Sequence, residues 1–394
     1  MTSDAPALHI PPPAFLADPA LVAVLAALPG CRLVGGAVRD AVAGLEQPGA
    51  DVDLATPQPP DAVIAALHAA QLKAVPTGLA HGTVTAVSGG RGFEVTTLRR
   101  DVQTDGRHAD VRFTADWRQD AGRRDFTINA LSMTPDGAIF DYFGGIGDLH
   151  AGLVRFVGDP ATRIAEDCLR ILRFFRFHAR HGQGDPDADA VAAIAAGLPG
   201  LARLSVERVW SELKRILAAP APGATVRLMR ALGVLAAVLP EGACPARLDR
   251  LPAAAPADPL LRLAALLDGD AAAAAARLRL SLAERDRLLA LRAAAALPAD
   301  ADDDALRRAM TDTSRDVLVG RAWLAGGDPG LLARLAVLPV PVFPLQGRDL
   351  VRAGMPPGPE MGAVLHDLRA WWLAGGCRAD AAECAAELRR WHVG

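Results

Sequence analysis

Apolar and polar residues alternate in short runs along the first hundred positions, a pattern typical of strands and helices that each bury one face. Glycine and proline separate these runs and mark turns. The pattern predicts a strand over 31–34, a turn at Gly35 and Gly36, a helix from about Ala37, and strands over 51–54, 82–87 and 92–98.

Beyond about residue 160 the chain changes character, and its pattern is helical with few interruptions. Two turn-rich stretches, 182–189 and 240–259, divide this region. No fixed-period repeat occurs, so a solenoid is not expected. The sequence therefore predicts a small α/β head followed by a long helical body.

The composition narrows the class of protein. Of 394 residues, 51% are hydrophobic and 22% are charged, the balance of a chain that folds around sizeable cores. Lys and Arg total 42 against 45 Asp and Glu, which gives a net charge of −3. The chain as a whole lacks the excess of basic residues that is typical of nucleic-acid-binding proteins. Any site for a polyanion must therefore be a local patch of positive charge.

The cysteines and the apolar segments indicate in which cellular compartment the protein is expected. Five cysteines occur without a CxxC pair, which argues against a zinc site or a disulfide framework. We therefore expect a reducing, cytoplasmic compartment. Neither a signal peptide nor a transit peptide is evident, and no apolar stretch of about 20 residues predicts a membrane span.

Two aspartates provide the first candidate chemistry. Asp51 and Asp53 are two residues apart on a predicted strand, so both carboxylates project from one face, while Val52 and Leu54 occupy the other. Paired oxygen ligands suit Mg²⁺, which completes its shell with water and substrate phosphates. This is the arrangement of metal-assisted phosphoryl transfer. A solvated strand edge is the alternative explanation.

A glycine turn lies just before these aspartates. Gly35 and Gly36 allow the backbone to approach a phosphate, and the helix that follows begins with unpaired N–H groups. Arg39, in the first turn of that helix, is placed to reach the same phosphates. Alone the glycines would predict only a turn, but together with the aspartates they indicate a phosphate site.

Four motifs in this order resemble one known family. They are GGAVRD at 35–40, the Asp51-x-Asp53 pair, RRDFTINAL at 123–131 and EDCLRILRFFRF at 166–177. Together they are similar to the class II tRNA nucleotidyltransferases, which include CCA-adding enzymes and bacterial poly(A) polymerases. The resemblance implies a nucleotidyltransferase head with a polymerase-β-like mixed sheet (1–150), a helical neck with a base-recognition helix (151–240) and an all-α, RNA-binding body and tail (241–394).

The same resemblance implies partners, a cofactor and roles for single residues. The partners are tRNA, CTP and ATP, with no protein partner and no membrane, and the cofactor is Mg²⁺. A third carboxylate usually completes such a site, and Glu94, on a predicted strand that follows the two aspartates, is the candidate; an ordinary exposed strand glutamate is the alternative. Asn129 is a candidate ribose or backbone anchor. Nucleotide contacts are implied for Gly35, Gly36, Arg39 and Arg124, and magnesium binding for Asp51 and Asp53.

For the motif EDCLRILRFFRF at 166–177, the resemblance implies a role in selecting the base of the incoming nucleotide. Asp167 and Arg170 are three residues apart and are predicted to lie side by side on a helix. A carboxylate beside a guanidinium complements cytosine and adenine, whereas uracil and guanine would leave polar groups unpaired. Arg173 and Arg176 continue the three-residue step and would stack on or clamp the nucleotide. A surface ion pair is the alternative.

Three further segments match the family less specifically. Residues 101–116, which include Arg107 and His108, resemble the flexible loop that CCA-adding enzymes need when they switch from adding C to adding A. An ordinary hairpin is the alternative. Residues 141–149 are expected to act as a hinge between head and neck. Residues 205–217 predict a helix whose basic face meets RNA phosphate or solvent.

We therefore expect template-independent addition of C, C and A to the tRNA 3′ end, with release of pyrophosphate. The main alternative is a poly(A) polymerase, which shares all four motifs, although residues 346–375 look more like CCA-adding relatives. Enzymes that add only CC or only A are further alternatives. A non-catalytic RNA-binding protein is opposed by the intact Asp51 and Asp53, and a phosphohydrolase by the lack of companions for His366 and Asp367.

Overall fold

The computed structural model of the chain describes residues 5–45, 49, 51–104, 109–293 and 296–392. The chain divides into two units, Met1–Val238 and Leu239–Gly394, each with its own buried apolar clusters. All described strands belong to the first unit: β1 (Leu8–His9), β2 (Arg32–Val34), β3 (Asp53–Thr56), β4 (Lys73–Gly78), β5 (Thr83–Ser88), β6 (Arg91–Thr97), β7 (Arg99–Thr104), β8 (Ala109–Phe113), β9 (Ser132–Met133) and β10 (Ala138–Phe140).

Helices surround these strands and then continue alone. In the described part of the first unit they are α1 (Pro19–Ala27), α2 (Gly36–Val42), α3 (Pro60–Ala69), α4 (Trp117–Gly122), α5 (Gly145–His150), α6 (Pro160–Glu166), α7 (Leu169–His181), α8 (Ala188–Gly197), α9 (Val206–Leu217), α10 (Gly223–Ala231) and α11 (Val234–Val238). Short 3₁₀ turns include Thr127–Asn129, which lies within the RRDFTINAL motif.

Eight strands form one mixed sheet in the order β1-β10-β9-β2-β3-β6-β5-β4, and β7 pairs with β8 as a separate hairpin. β3 runs parallel to β6, whereas β2 and β3 are antiparallel. Because side chains alternate between the two faces of a strand, one face supplies Leu33, Leu54 and Val95 to a core that α1 and α3 cover. The opposite face of β3 carries Asp53.

An aromatic cluster joins the helix α7 to the RRDFTINAL segment within the first unit. The rings of Phe126 and Phe156 lie 4.8 Å apart, and Phe126 meets Phe177 of α7 edge to face at 5.2 Å. Phe174, also on α7, stacks on Phe156 at 6.1 Å. Buried aromatic contacts of this kind fix the position of α7 against the RRDFTINAL segment.

The second unit is helical over its described residues. One apolar cluster, centred on Leu306, Leu318 and Leu335, and another, centred on Leu368 and Trp372, form its interior. No helix in the described ranges is long and apolar enough to cross a membrane. The helices are α12 (Pro245–Leu248), α13 (Pro259–Leu266), α14 (Ala271–Arg277), α15 (Leu282–Ala293), α16 (Asp303–Asp312), α17 (Arg315–Leu324), α18 (Pro329–Val337), α19 (Gly347–Arg352), α20 (Pro359–Ala374) and α21 (Ala381–His392).

The predicted α/β head followed by helices is confirmed. The strand predicted over 51–54 starts too early, because β3 begins at Asp53. The expected alternation nevertheless holds, with Val52 and Leu54 buried and both aspartates reaching the surface. Within 101–116, β7 and β8 pair as a hairpin, and residues 105–108, with Arg107 and His108, lie outside the described residues. The finer division at 150 and 240 into head, neck, body and tail stays a prediction.

The segment predicted as a hinge, 141–149, contains a tightly bonded turn. The Asp141 carboxylate accepts hydrogen bonds from the backbone N–H groups of Phe143, Gly145 and Ile146, at 2.9 to 3.1 Å. A Cβ on Gly145 would lie 2.2 Å from the carbonyl oxygen of Thr127. No side chain fits there without a shift of the backbone, while the hinge role itself stays a prediction.

We expect Gly145→Ala to lower the free energy of unfolding by about 2 kcal/mol, because overpacking a buried position forces the backbone to move. Gly147→Ala in the same helix is the matched control, since a Cβ there meets no atom within 4 Å. The control should be as stable as the parent or slightly more stable. Urea unfolding measures both variants, and equal stability of the two would contradict the tight packing at Gly145.

Candidate active site

The turn between β2 and α2 brings the glycine backbone against a carboxylate. Gly35 has a φ of +76°, which strongly favours glycine. A Cβ on Gly35 would lie 3.5 Å from Oδ2 of Asp53 and 3.9 Å from Nη1 of Arg124. A Cβ on Gly36 would lie 3.6 Å from Nη2 of Arg39. The residues predicted to contact phosphate therefore meet at the start of α2.

Three acidic side chains lie beside this turn and reach the surface. Asp53 and Glu94 are register partners on the parallel strands β3 and β6, and Asp51 precedes β3. Desolvation and the negative charge of Glu94 raise the pKa of the Asp53 carboxyl; Arg124 opposes this shift, and Asp51 adds to it. Three neighbouring acids of this kind form a donor set whose negative charge a hard divalent cation would neutralise.

These carboxylates fit a cation that shares its ligands with a substrate. Among the described residues, no group of three or more His, Cys, Asp or Glu side chains is arranged to hold a metal ion by itself. Mg²⁺ characteristically takes one or two carboxylates and completes its shell with water and phosphate oxygens. The chemistry of the donors therefore suits Mg²⁺ in the presence of a nucleotide.

The two arginines nearest the turn are held by short networks. Arg39 is only 7% exposed, and its Nη1 donates to Oδ1 of Asn129 at 2.7 Å while Nε donates to Asp40 at 2.9 Å. Arg124 donates to Oδ2 of Asp120 at 3.5 Å. Burial lowers the pKa of Arg124, and Asp120 opposes that shift. The Arg124 guanidinium nevertheless stays charged, because arginine does not deprotonate in proteins.

A cavity of about 1330 Å³ opens from this turn into the helices of the same unit. Its described wall carries nine arginines against two aspartates, so positive charge is concentrated here although the whole chain has a net charge of −3. Burial, and then the charge of Arg39, lower the pKa of nearby His181 to about 4. The charged lining residues are Arg39, Arg123, Arg124, Arg170, Arg173, Arg176, Arg180, Arg208, Arg215, Asp125 and Asp167.

Asp167 and Arg170 both line the cavity, but they do not share a helix as predicted. α6 ends at Glu166 and α7 begins at Leu169, so Asp167 lies in the link between them, with a φ of −154°. That part of the prediction is wrong because the Asp167 carboxylate bonds the backbone N–H of Leu169, at 3.0 Å, where the next helix starts.

The alternative explanation, an ion pair between Asp167 and Arg170, does not describe the structure, because each side chain has other partners. Oδ2 of Asp167 accepts a hydrogen bond from Nη2 of Arg208, on α9, at 2.6 Å. Arg170 contacts the Glu166 carboxylate and donates from Nη1 to the carbonyl oxygen of Arg163 at 2.8 Å. Each group is therefore fixed separately, and both face the same cavity.

Arg173 and Arg176 lie on α7 and line the cavity, each beside an acid, while their predicted contact with the nucleotide stays a prediction. Nε of Arg173 donates to Oδ2 of Asp125 at 2.7 Å, and Nε of Arg176 lies 2.7 Å from Oε2 of Glu212. The guanidinium carbon of Arg176 lies 4.3 Å from the centre of the Phe177 ring. The Arg39 and Arg173 guanidinium carbons lie 5.3 and 5.8 Å from the same ring, within the range of cation–π attraction.

Sequence reasoning missed the groups that hold these arginines, namely Asp125, Glu212 and Phe177. Asp125 could have been found, because it lies in RRDFTINAL four residues before Asn129, whose Nδ2 donates to it at 3.2 Å. Glu212 is nearly buried on α9, and only packing places it beside α7. No local pattern in the sequence marks that contact.

Comparison with protein families agrees with this geometry. The family described as "Poly A polymerase head domain" matches residues 31–155, which include the glycine turn, the carboxylates and the RRDFTINAL motif. The family described as "Probable RNA and SrmB- binding site of polymerase A" matches residues 185–244.

One relative and one solved structure are similar to more than nine-tenths of the chain, and a second relative to about half of it. CCA tRNA nucleotidyltransferase 1, mitochondrial, of Mus musculus is 37% identical over 379 residues, covering 91% of this chain and 86% of the relative. The CCA-adding enzyme of Leuconostoc mesenteroides is 41% identical over 47% of this chain and 45% of its own length. The crystal structure of the Bacillus stearothermophilus CCA-adding enzyme in complex with CTP has a TM-score of 0.75 and 27% identity, covering 95% and 98% of the two chains. The chain therefore belongs to the class II tRNA nucleotidyltransferases.

Proposed function

We propose that this protein is a CCA-adding enzyme that extends the tRNA 3′ end by C, C and A from CTP and ATP. The observation that carries the proposal is the 37% identity to the mouse CCA tRNA nucleotidyltransferase over 91% of the chain. The basic cavity supports it, because about 1330 Å³ exceeds the roughly 300–1,000 Å³ of ordinary small-molecule pockets. A nucleotide and the end of an RNA strand fit such a volume together.

The chemistry is a displacement at the α-phosphorus of the nucleotide. The 3′-hydroxyl oxygen of tRNA bonds to that phosphorus and loses its proton, while the bond to the β-phosphate oxygen breaks and pyrophosphate leaves. Gly36 and Arg39 would hold the triphosphate, with Gly35 allowing its close approach, and Arg124 would contact the nucleotide. The surrounding arginines would offset the charge of substrate and leaving group.

Mg²⁺ is the cofactor we assign to the carboxylates. Asp51 and Asp53 would hold it, and Glu94, the register partner of Asp53, would be the third carboxylate. When bound, Mg²⁺ supplies charge neutralisation at the phosphate oxygens and promotes ionisation of the attacking hydroxyl. The protein's part is to place these acids beside the Gly35 turn, 3.5 Å from its Cβ position in the case of Asp53.

Base selection is assigned to Asp167 and Arg170, with Arg173 and Arg176 as the clamp on the nucleotide. Asp167 uses Oδ2 for Arg208 and Oδ1 for the Leu169 N–H, so its orientation is set before a base arrives. A carboxylate has about four lone-pair directions, and those that remain can accept the amino group of cytosine or adenine.

The decisive experiment separates CCA addition from the related activities. Purified protein is incubated with three tRNA substrates, which end before, within or after CCA. Each substrate is tested with one labelled nucleotide at a time. The Asp53→Ala variant gives the background signal. We expect two additions from CTP, then one from ATP, and none on complete tRNA. Continued extension with ATP would identify a poly(A) polymerase, and loss of either step would identify a CC-only or A-only enzyme.

We also propose a cytoplasmic location. All five cysteines are free thiols, and Cys31, Cys377 and Cys384 are buried, which is typical of a protein from a reducing compartment. The mouse relative's name assigns that protein to mitochondria. Cell fractionation followed by detection of the native protein distinguishes the two locations.

A further inference from the structure

Arg180 differs from the other arginines of the cavity wall. Eight of the nine have a carboxylate oxygen within 4 Å, as Arg39 has in Asp40 and Arg176 has in Glu212. Within the described residues, Arg180 has no acid at that distance, and its side chain is exposed. Its charge therefore remains available to an anion that enters the cavity.

Arg180 lies at the end of α7 that is remote from the proposed base contacts. Arg170 is in the first turn of this helix, and Arg180 is in the last. At a rise of 1.5 Å per residue, the two positions are about 15 Å apart along the helix axis. A nucleotide whose base lies at Arg170 therefore points its other end toward Arg180.

Several contacts place Arg180 close to Arg39, the proposed triphosphate ligand. Both residues line the same cavity. The guanidinium carbon of Arg39 lies 5.3 Å from the centre of the Phe177 ring, and Phe177 precedes Arg180 by three residues, so the two are neighbours on the helix surface. Burial lowers the pKa of His181, and the charges of Arg39 and Arg180 both add to this shift, while Asp40 opposes it.

The donors of these two arginines are used differently. Arg39 donates from Nε and Nη2 to Asp40, at 2.9 and 2.8 Å, and from Nη1 to Asn129, at 2.7 Å. Three of its five N–H groups are thus directed at protein atoms. Arg180 has no such bonds to described residues, so it can present the two parallel N–H groups that bind a phosphate at two oxygens.

We propose that Arg180 binds the terminal phosphates of the incoming nucleotide, next to Arg39, and the pyrophosphate that they become. The proposal rests on the proposed function and deepens it. When the bond from the α-phosphorus to the bridging oxygen breaks, its electron pair stays on that oxygen, and the pyrophosphate gains negative charge. Arg180 offsets this charge at the end of α7 away from the base.

Two dissociation constants and two ratios test this assignment, measured by calorimetry in the presence of Mg²⁺. The γ-phosphate advantage is Kd for CDP over Kd for CTP, and the base preference is Kd for UTP over Kd for CTP. The Kd values for inorganic pyrophosphate and for tRNA are measured beside them. The proteins are the parent, Arg180→Ala, Arg180→Lys and a matched control, Arg230→Ala.

Arg230 is a suitable control because it is also an exposed arginine of the first unit. It lies on α10, has no acid within 4 Å among the described residues and does not line the cavity. Arg230→Ala removes the same charge from the chain and should leave both ratios and both dissociation constants unchanged. A loss equal to that of Arg180→Ala would mean that only the net charge matters, and the proposal would be wrong.

We expect Arg180→Ala to lower the γ-phosphate advantage about tenfold and to raise Kd for pyrophosphate about tenfold, the effect of losing hydrogen bonds to a charged group. The base preference should stay within about twofold, because the base contacts lie at the other end of α7. Arg180→Lys keeps the charge but not the forked geometry, so its values should fall between those of the parent and Arg180→Ala.

Two other roles of Arg180 predict different results. A cation in the last turn of a helix favours the negative end of the helix dipole, and this role alone would lower the melting temperature of Arg180→Ala with an unchanged γ-phosphate advantage. Contact with RNA would weaken only tRNA binding. Either result overturns the proposal. A parent protein that binds CTP and UTP equally counts against the proposed function, whereas pyrophosphate binding still tests Arg180.

Discussion

Asp53→Ala is expected to lower kcat for nucleotide addition at least about 10³-fold, because Asp53 is the proposed ligand of the catalytic cation, whose charge would stabilise the transition state. Asp53 is the acid closest to the glycine turn, with Oδ2 3.5 Å from the Cβ position of Gly35, and Glu94 is its register partner. Its carboxyl reaches the surface, so removal leaves the core of the sheet intact. The melting temperature should therefore stay near that of the parent.

Rates are measured under single-turnover conditions, with enzyme in excess over a tRNA that lacks its terminal A and with a saturating concentration of ATP. Asp61→Ala is the matched control, because Asp61 is an exposed acid in the first turn of α3. Glu94→Gln tests the third carboxylate in the same assay and should also slow addition. Parent-like turnover of Asp53→Ala would remove the assignment of the cation to this residue.

The features that the sequence could predict are those that depend on one strand or one helix alone. The two-residue alternation of Asp51 and Asp53 and the arginines of α7 repeat at the period of their own strand or helix, so their common faces are visible without a structure. The parallel pairing of β3 with β6 is not visible in this way. It decides that Glu94 stands beside Asp53, and it results from packing of the whole sheet.

The contacts that fix the cavity are distant in sequence. Arg208 bonds Asp167 across 41 residues, Arg173 bonds Asp125 across 48, and Arg39 bonds Asn129 across 90. Each joins two elements whose relative placement depends on buried aromatic and aliphatic contacts, such as those of Phe126 and Phe177. The helix predicted through Asp167 failed for a local reason, because a carboxylate that bonds a backbone N–H two residues later favours a helix start.

The structure also explains how a chain with a net charge of −3 presents a basic site. Eight of the nine cavity arginines lie within 4 Å of an acid in or beside the wall: Arg39 of Asp40, Arg123 and Arg124 of Asp120, Arg170 of Glu166, Arg173 of Asp125, Arg176 and Arg215 of Glu212, and Arg208 of Asp167. Each acid orients its arginine and offsets part of the repulsion between neighbouring cations. Arginine nevertheless outnumbers the acids along the wall, so an excess of positive charge remains for a polyanion.

Asp167→Ala is expected to reduce discrimination between the correct nucleotides, CTP and ATP, and the incorrect ones, UTP and GTP, by about 10²-fold or more. The reason is the loss of the acceptor that pairs with an amino group and faces the carbonyl oxygen of a wrong base. The proposed triphosphate contacts, Gly36 and Arg39, are elsewhere, so binding of the phosphates should change far less. Arg208 loses its carboxylate partner in this variant, and part of the effect could pass through that arginine.

Asp167→Asn and Arg215→Ala separate these contributions. Asp167→Asn keeps an acceptor for Arg208 or the Leu169 N–H but adds a donor, so use of UTP should rise while the fold is kept. Arg215→Ala removes a cavity charge that lies 3.6 Å from Glu212 rather than at Asp167, so it should weaken all four nucleotides alike. The measured quantity is kcat/KM for each nucleotide on tRNA ending before CCA and on tRNA lacking only the final A. If Asp167→Ala rejects UTP and GTP as strongly as the parent protein does, base reading by this carboxylate is refuted. Within the described residues, no other acid of the cavity wall lies on the link between α6 and α7 and could take its place.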